Sequence, residues 1–459
     1  MTKLSNIPPI VGICIGLIIY ELRPICYFFI TPNTLPSFVN LLGLMIVFFY
    51  LLRSKSHGTS QMTASYVFLI FWSVIMVLRG SLMGNFPLAF GGSLSGVISS
   101  FLFNPYSGAA YLIPLMAMVK VNLNSLYYIK RISVFLSLFF IIMMFFERQQ
   151  IVIGQVTKGM TSLIDTNGEF ITVRGLLSLL SPGFGLIVFS LFNSGYYKER
   201  FTAILPLIVM IVYFISQAIG GGRGATTTSL LYILAYFFIM TRYPVSVNGR
   251  PTSVSSQKRA TKMSNIFLGF AFILLVVYMY NRTSVFDYVL ERAFGGKAIT
   301  SDFDTSNRDL LKSDFIKDFN SNPTDWIWGR GVNGYYHTSN EFSVNNNREA
   351  MEWGYLYLIL KGGVVYLILT VLCFIHAARL GFFKSRNTLS KALAMICLFH
   401  LYGLTSVAVQ PNYSVRYLIP WLSFGLLELS QLRMLSDQDI YGYFNIKNYK
   451  SSDPKSIVI

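Results

Sequence analysis

The stretch ISQAIGGGRGATTT, residues 215–228, sets Arg223 among four glycines between two long apolar runs. Glycine lets a ligand approach the backbone closely and leaves its amides open. If a helix starts near residue 225, Arg223 stands at its N-terminus, where amides and dipole favour an anion. A guanidinium adds bidentate contact to phosphate. The same corner also suits an arginine reaching for lipid headgroups. Arg174 and Arg308 are placed alike, one at the foot of an apolar run and one in a long polar segment. Arg330 and His337, in WIWGRGVNGYYH (326–337), and Arg348 extend the set of groups that could contact a phosphate or sugar. Glu352 lies where the polar segment meets the next apolar run. A carboxylate there can orient or deprotonate a hydroxyl, or simply complement a helix N-terminus. Asp302-Phe303-Asp304 is an acid-x-acid pattern of the sort that can hold a divalent cation. It also arises readily by chance in a polar loop, and no metal site or other cofactor is expected.

The elements that must position these residues are apolar. The chain has 459 residues, 53% hydrophobic and only 12% charged. Runs long enough to cross about 30 Å of hydrocarbon recur throughout. The pattern predicts an all-α polytopic membrane protein with about twelve crossings, near 7–30, 37–52, 64–80, 104–119, 132–147, 175–193, 202–219, 225–241, 265–281, 353–376, 392–409 and 417–432. Glu21 and Arg23 interrupt the first run, so one reading ends that span near Tyr20. Residues 81–103 could form a re-entrant segment. The order is then 1–281 with nine spans, a large outer loop at 282–352, three more spans at 353–432 and a tail at 433–459.

The net charge of +17 raises the question of nucleic acid. Its distribution answers otherwise. The short N-terminus and loops 53–63, 120–131, 194–201, 242–264 and 377–391 carry 17 Lys/Arg and one acid, Glu199. The loops on the other side carry as many acids as bases. By the positive-inside rule the first set is cytoplasmic, so Arg223 faces outward and nucleic acid is not a partner. Cys14, Cys26, Cys373 and Cys397 all fall within apolar runs, away from loops where disulfides would form. No Walker pattern is present. NRDLLKSDFIKDFN (307–320) predicts a helix with Leu310, Leu311, Phe315 and Phe319 on one stripe, ended by Asn322-Pro323. The outer loop is expected to fold as a lid. Lys361 lies well inside a span, whereas Arg79, His376, His400 and Glu428 lie near span ends.

Four segments, in order, carry a resemblance. They are VRGLLSLLSPGFGLIV (173–188), GGGRGATTTSLLYIL (220–234), SNRDLLKSDFIKDFNSNPTDWIWGRGVNGY (306–335) and EWGYLYLILKGGVVYLIL (352–369). Together they make the chain resemble the bacterial O-antigen ligase/polymerase superfamily, and more closely its Wzy-type polysaccharide polymerase branch. Gly222 stands where the family usually has serine, and Trp353 where it usually has asparagine. Ligases of the superfamily carry histidine at the position of Glu352, and an acid there is more like polymerases. The resemblance implies a GT-C-like, metal-independent glycosyltransferase at the outer face of the bacterial cytoplasmic membrane. Its substrate would be undecaprenyl-diphosphate-linked oligosaccharide, with a chain-length regulator and a flippase as partners. Arg174, Arg223 and Arg308 would hold the diphosphate and Glu352 would serve the acceptor. The alternatives are an O-antigen ligase and a lipid-linked oligosaccharide flippase.

Overall fold

The structure, a computed structural model, describes residues 7–22, 34–54, 62–82, 107–121, 301–338, 347–349, 351, 353–405 and 411–437, with short pieces within 125–135 and 230–239 and at 162–164, 170–172, 210–211 and 439–440. These residues are mostly helical. The spans expected at 175–193 and 265–281 lie outside them, those at 132–147 and 202–219 are described at two positions each, and that at 225–241 at nine.

Pro9 opens α1 (Pro9–Glu21), where its missing amide donor is not needed. The helix stops at Glu21, the shorter of the two sequence readings. It packs on α2 (Thr34–Arg53) through Gly16 and Gly43. A Cβ on either glycine would lie within 2.8 Å of the other's carbonyl oxygen, the close helix crossing that small residues permit. After α3 (Ala64–Leu82) comes α4 (Ala109–Leu115), shorter than expected because Pro114 sits inside it and a 3-10 turn follows at Met116–Met118. A proline leaves the carbonyl four residues back without its donor. Here the Tyr366 hydroxyl donates to that carbonyl, Ala110 O, and the Tyr66 hydroxyl donates to Pro114 O at 2.7 Å.

In the polar segments, β1 (Ser162–Ile164) pairs with β2 (Phe170–Thr172), and β3 (Tyr336–His337) with β4 (Asn347–Arg348), both antiparallel. These ribbons depart from a purely α chain. Residues 301–338 begin with α5 (Ser301–Ser321), longer than the stripe predicted, followed by α6 (Thr324–Trp328). Leu311, Phe315 and Phe319 of that stripe are buried, while Leu310 stays exposed.

Three helices complete the apolar part. They are α7 (Gly354–Phe383), α8 (Thr388–Thr405) and α9 (Val415–Glu428), followed by the short α10 (Ser430–Met434). Asn387 caps α8, its side-chain oxygen accepting from Ser390 N at 2.7 Å while its amide donates to Leu432 O at 2.8 Å. Trp421 and Phe374 centre the main core, their rings 4.7 Å apart, and the His400 ring lies tilted beside Phe374.

The helices α7 and α8 are long and apolar enough to cross a membrane. Large apolar side chains also line one exposed face of α2 (Phe38, Leu42, Met45, Phe49, Leu52), of α3 (Val67, Phe68, Phe71, Val74, Leu78) and of α7 (Ile368, Leu372, Ile375). Their three- and four-residue spacing makes each row one continuous helix stripe.

Candidate functional site

The polar segment 301–338, expected from the sequence to be an outer loop, meets the apolar helices at a break in α7. Gly363 takes φ 72° and ψ −178° inside an otherwise helical run. A break of this kind leaves the preceding carbonyls without their intrahelical donors. Each of three consecutive carbonyls finds a donor from elsewhere. Leu360 O accepts from Arg330 N at 2.7 Å. Lys361 O accepts from the Tyr111 hydroxyl at 2.7 Å, and Gly362 O from Trp72 Nε1 at 2.7 Å. The partner in the outer segment is Gly329, with φ 67°. A Cβ on Gly329 would lie 2.5 Å from Gly363 N, and one on Gly363 would lie 1.8 Å from Ile327 O. The two backbones touch directly.

Lys361 is fully buried, as its place in the run suggested, and its ammonium is spent on the outer segment. It donates to Val332 O at 3.1 Å and Gly334 O at 2.9 Å, and Glu349 lies within electrostatic reach. Its role is to hold the turn that follows Gly329.

Arg330 was expected to contact substrate. The structure turns it inward instead. It is 5% exposed. Its Nε donates to Asp325 Oδ2 at 2.8 Å, and its Nη1 to Asp318 and to Tyr335 O at 2.9 Å. The guanidinium also covers the Phe319 ring at 4.6 Å. Asp325 is shared with Arg79 at 3.6 Å, so α3, α5, α6 and the turn meet at one buried charge cluster. A guanidinium with these donors engaged and almost no exposed surface has little left for a ligand.

The remaining candidates divide by position. The His337 ring is exposed, its backbone N–H donates to Asp318 Oδ2 at 3.1 Å, and its ring meets Tyr335 edge-on at 5.2 Å. Arg348 pairs with Tyr336 across the β3–β4 ribbon and is half-buried. Arg308 lies on α5, on the same helix as Asp314 and Asp318. Asp302 and Asp304 are also on α5. Among the described residues no group of acids, histidines or cysteines is placed to hold a metal. Arg174, Arg223 and Glu352 lie outside the described residues. His376 Nε2 stands 4.0 Å from Glu428 Oε1, which pairs two of the span-end groups noted in the sequence.

The arrangement can therefore fix the segment that carries Arg308 to α7, through α6 and the turn at Gly329. Asp318, Asp325 and Arg79 were missed as a cluster because Arg79 is distant in sequence and no local pattern joins it to the two acids. No protein-family model matches the sequence, and no curated protein matches it.

Proposed function

We propose that the protein is a polysaccharide polymerase of the bacterial cytoplasmic membrane. It joins oligosaccharide repeat units carried on undecaprenyl diphosphate at the outer face and releases undecaprenyl diphosphate. In this reading the chain crosses the bilayer about twelve times in a GT-C-like arrangement, and the exposed apolar stripes on α2, α3 and α7 face lipid. The observation that supports it best is the joint between the Arg308-bearing segment and α7. Gly329 against Gly363 and Arg330 against Leu360 make the third and fourth segments of the family resemblance one packed unit. Arginines and a carboxylate then flank a place where a lipid diphosphate can lie at headgroup depth.

The reaction needs little from the protein beyond position and charge. A hydroxyl of the incoming lipid-linked unit attacks the anomeric carbon of the chain held on the other lipid. The bond from that carbon to the diphosphate oxygen breaks, and the electron pair leaves with undecaprenyl diphosphate. Arg174, Arg223 and Arg308 stabilise the charge that builds there. Glu352 positions the acceptor hydroxyl or takes its proton. Diphosphate is a good leaving group, so no metal is invoked.

The test is direct. Purified protein is incubated with synthetic undecaprenyl-diphosphate repeat units from its own host, with no other enzyme, and the glycan is run on a gel. A ladder is the expected result. Absence of a ladder, with the lipid crossing vesicle membranes instead, would replace the polymerase by a flippase. A host lacking the gene separates the ligase. Loss of a polymerase leaves single repeat units on the surface lipid, and loss of a ligase leaves none.

A further inference from the structure

We infer that residues 324–335 form a re-entrant segment, which enters the bilayer from the outer side to about half its depth and presents Ile327 and Trp328 to acyl chains. The inference rests on the chain being a membrane protein and not on which reaction it performs.

Depth can be read from two helices independently. Trp328 stacks on Trp72 of α3, with ring centroids 4.9 Å apart. At about 1.5 Å per residue, Trp72 stands about 12 Å from Ala64 and about 15 Å from Leu82, near the middle of α3. Exposed apolar side chains lie on both sides of that level, Val67, Phe68 and Phe71 towards one end and Val74 and Leu78 towards the other. The docking point is thus flanked above and below by surface of the kind that suits hydrocarbon. On α7 the docking point is Gly363, about 13 Å from the helix start at Gly354. Trp72 Nε1 to Gly362 O, and Cys373 Sγ to Ser65 Oγ at 3.7 Å, fix α3 and α7 as antiparallel neighbours. Both helices place the tip about 13–15 Å below their outer ends, half of a hydrocarbon layer of about 30 Å.

The segment is built for that position. Asn322, Pro323 and Thr324, which precede the tip, are exposed and polar or small. Ile327 and Trp328 at the tip are 54% and 41% exposed and apolar. Irregular backbone survives at membrane depth only where protein satisfies its polar groups. Here Gly329 N donates to Asp325 O at 2.7 Å, Arg330 N to Leu360 O at 2.7 Å and Gly334 N to Gly331 O at 3.0 Å, while Lys361 serves the carbonyls of Val332 and Gly334. The charged side chains nearby, Arg79, Asp325 and Arg330, are paired with one another.

The experiment uses the full chain in liposomes with its native cysteines replaced by alanine. A nitroxide is placed singly at Ile327→Cys, at Phe71→Cys on the exposed row of α3 and at Lys317→Cys on the exposed face of α5. Collisional relaxation by oxygen and by a water-soluble nickel chelate measures depth. The label at 327 is expected to match that at 71, with a severalfold higher oxygen-to-nickel ratio than the label at 317. A water-like ratio at 327 with a hydrocarbon ratio at 71 would place the segment above the membrane and overturn the proposal. Water-like ratios at both would remove the membrane reading as well. Thr324→Cys supplies a second variant on exposed surface, and its label is expected between the values at 317 and 327. A value at 324 deeper than at 327 would also overturn the proposal.

Discussion

Arg330 shows how a residue type can point to one chemistry and serve another. An arginine flanked by glycines in a polar loop reads as a phosphate ligand. Its two carboxylate partners, Asp318 and Asp325, come from the preceding helices and claim it. Removing one member of a buried ion cluster strands the others and costs about 3–5 kcal/mol. Arg330→Ala should therefore lower the thermal midpoint of the detergent-solubilised protein sharply. Ala in place of the exposed Lys317 should change stability by no more than about 0.5 kcal/mol. Equal melting of the two variants would mean that the Arg330 cluster carries no stability. Arg223 and Arg308 are expected to behave the opposite way. Under the polymerase reading, Arg223→Ala and Arg308→Ala each reduce chain extension about 100-fold or more, with protein still present in the membrane at normal amount. Normal chain length from Arg223→Ala would remove that residue from the site.

At the scale of elements, the joint at Gly363 governs how the outer segment sits. Alanine there faces two penalties, the positive φ and a backbone oxygen 1.8 Å from the new methyl carbon. A non-glycine residue at φ 72° and ψ −178°, a region almost exclusive to glycine, costs about 1–3 kcal/mol. The clash cannot be relieved by rotating a side chain, so Gly363→Ala should undock the segment rather than merely strain it. Limited proteolysis checks this, since a protease added from outside should cut within 301–338 much faster in the variant. Unchanged cleavage would show that α7 can absorb the methyl. How much of this was legible beforehand follows from the same elements. The α5 stripe of Leu311, Phe315 and Phe319 could be read because helical spacing is local, and so could its stop at Asn322-Pro323. Lys361 stood out in the sequence as a charge well inside a span. Its meaning was hidden because the donors that complete the break, Trp72, Tyr111 and Arg330, come from three distant parts of the chain. Helix ends also moved. The span read as 353–376 runs on to Phe383, because nothing between His376 and Phe383 breaks a helix even though Arg379 makes that stretch less apolar. The fourth shrank because Pro114 turns its end into a 3-10 coil.

For the whole molecule, charge and apolar surface have to agree on one orientation. The antiparallel contact of α3 with α7 puts Leu82 and Gly354 on one side and Lys384 and Arg386 on the other. The start of α3 and the basic end of α7 then share a side, which the positive-inside rule would make cytoplasmic. Segment 301–338 lies towards the opposite ends of the same helices, with Arg79 against Asp325 and its tip docked midway, on Trp72 and Gly363. A fluorescent-protein fusion after residue 385 should glow, because that fold matures only in the cytoplasm. A periplasmic phosphatase fused after residue 300 should be active. The reverse pattern would put the arginines of the outer segment in the cytoplasm, away from any lipid-linked donor at the outer face. The polymerase reading would then fall, whereas the packing of α5 and α6 on α7 would remain as it is.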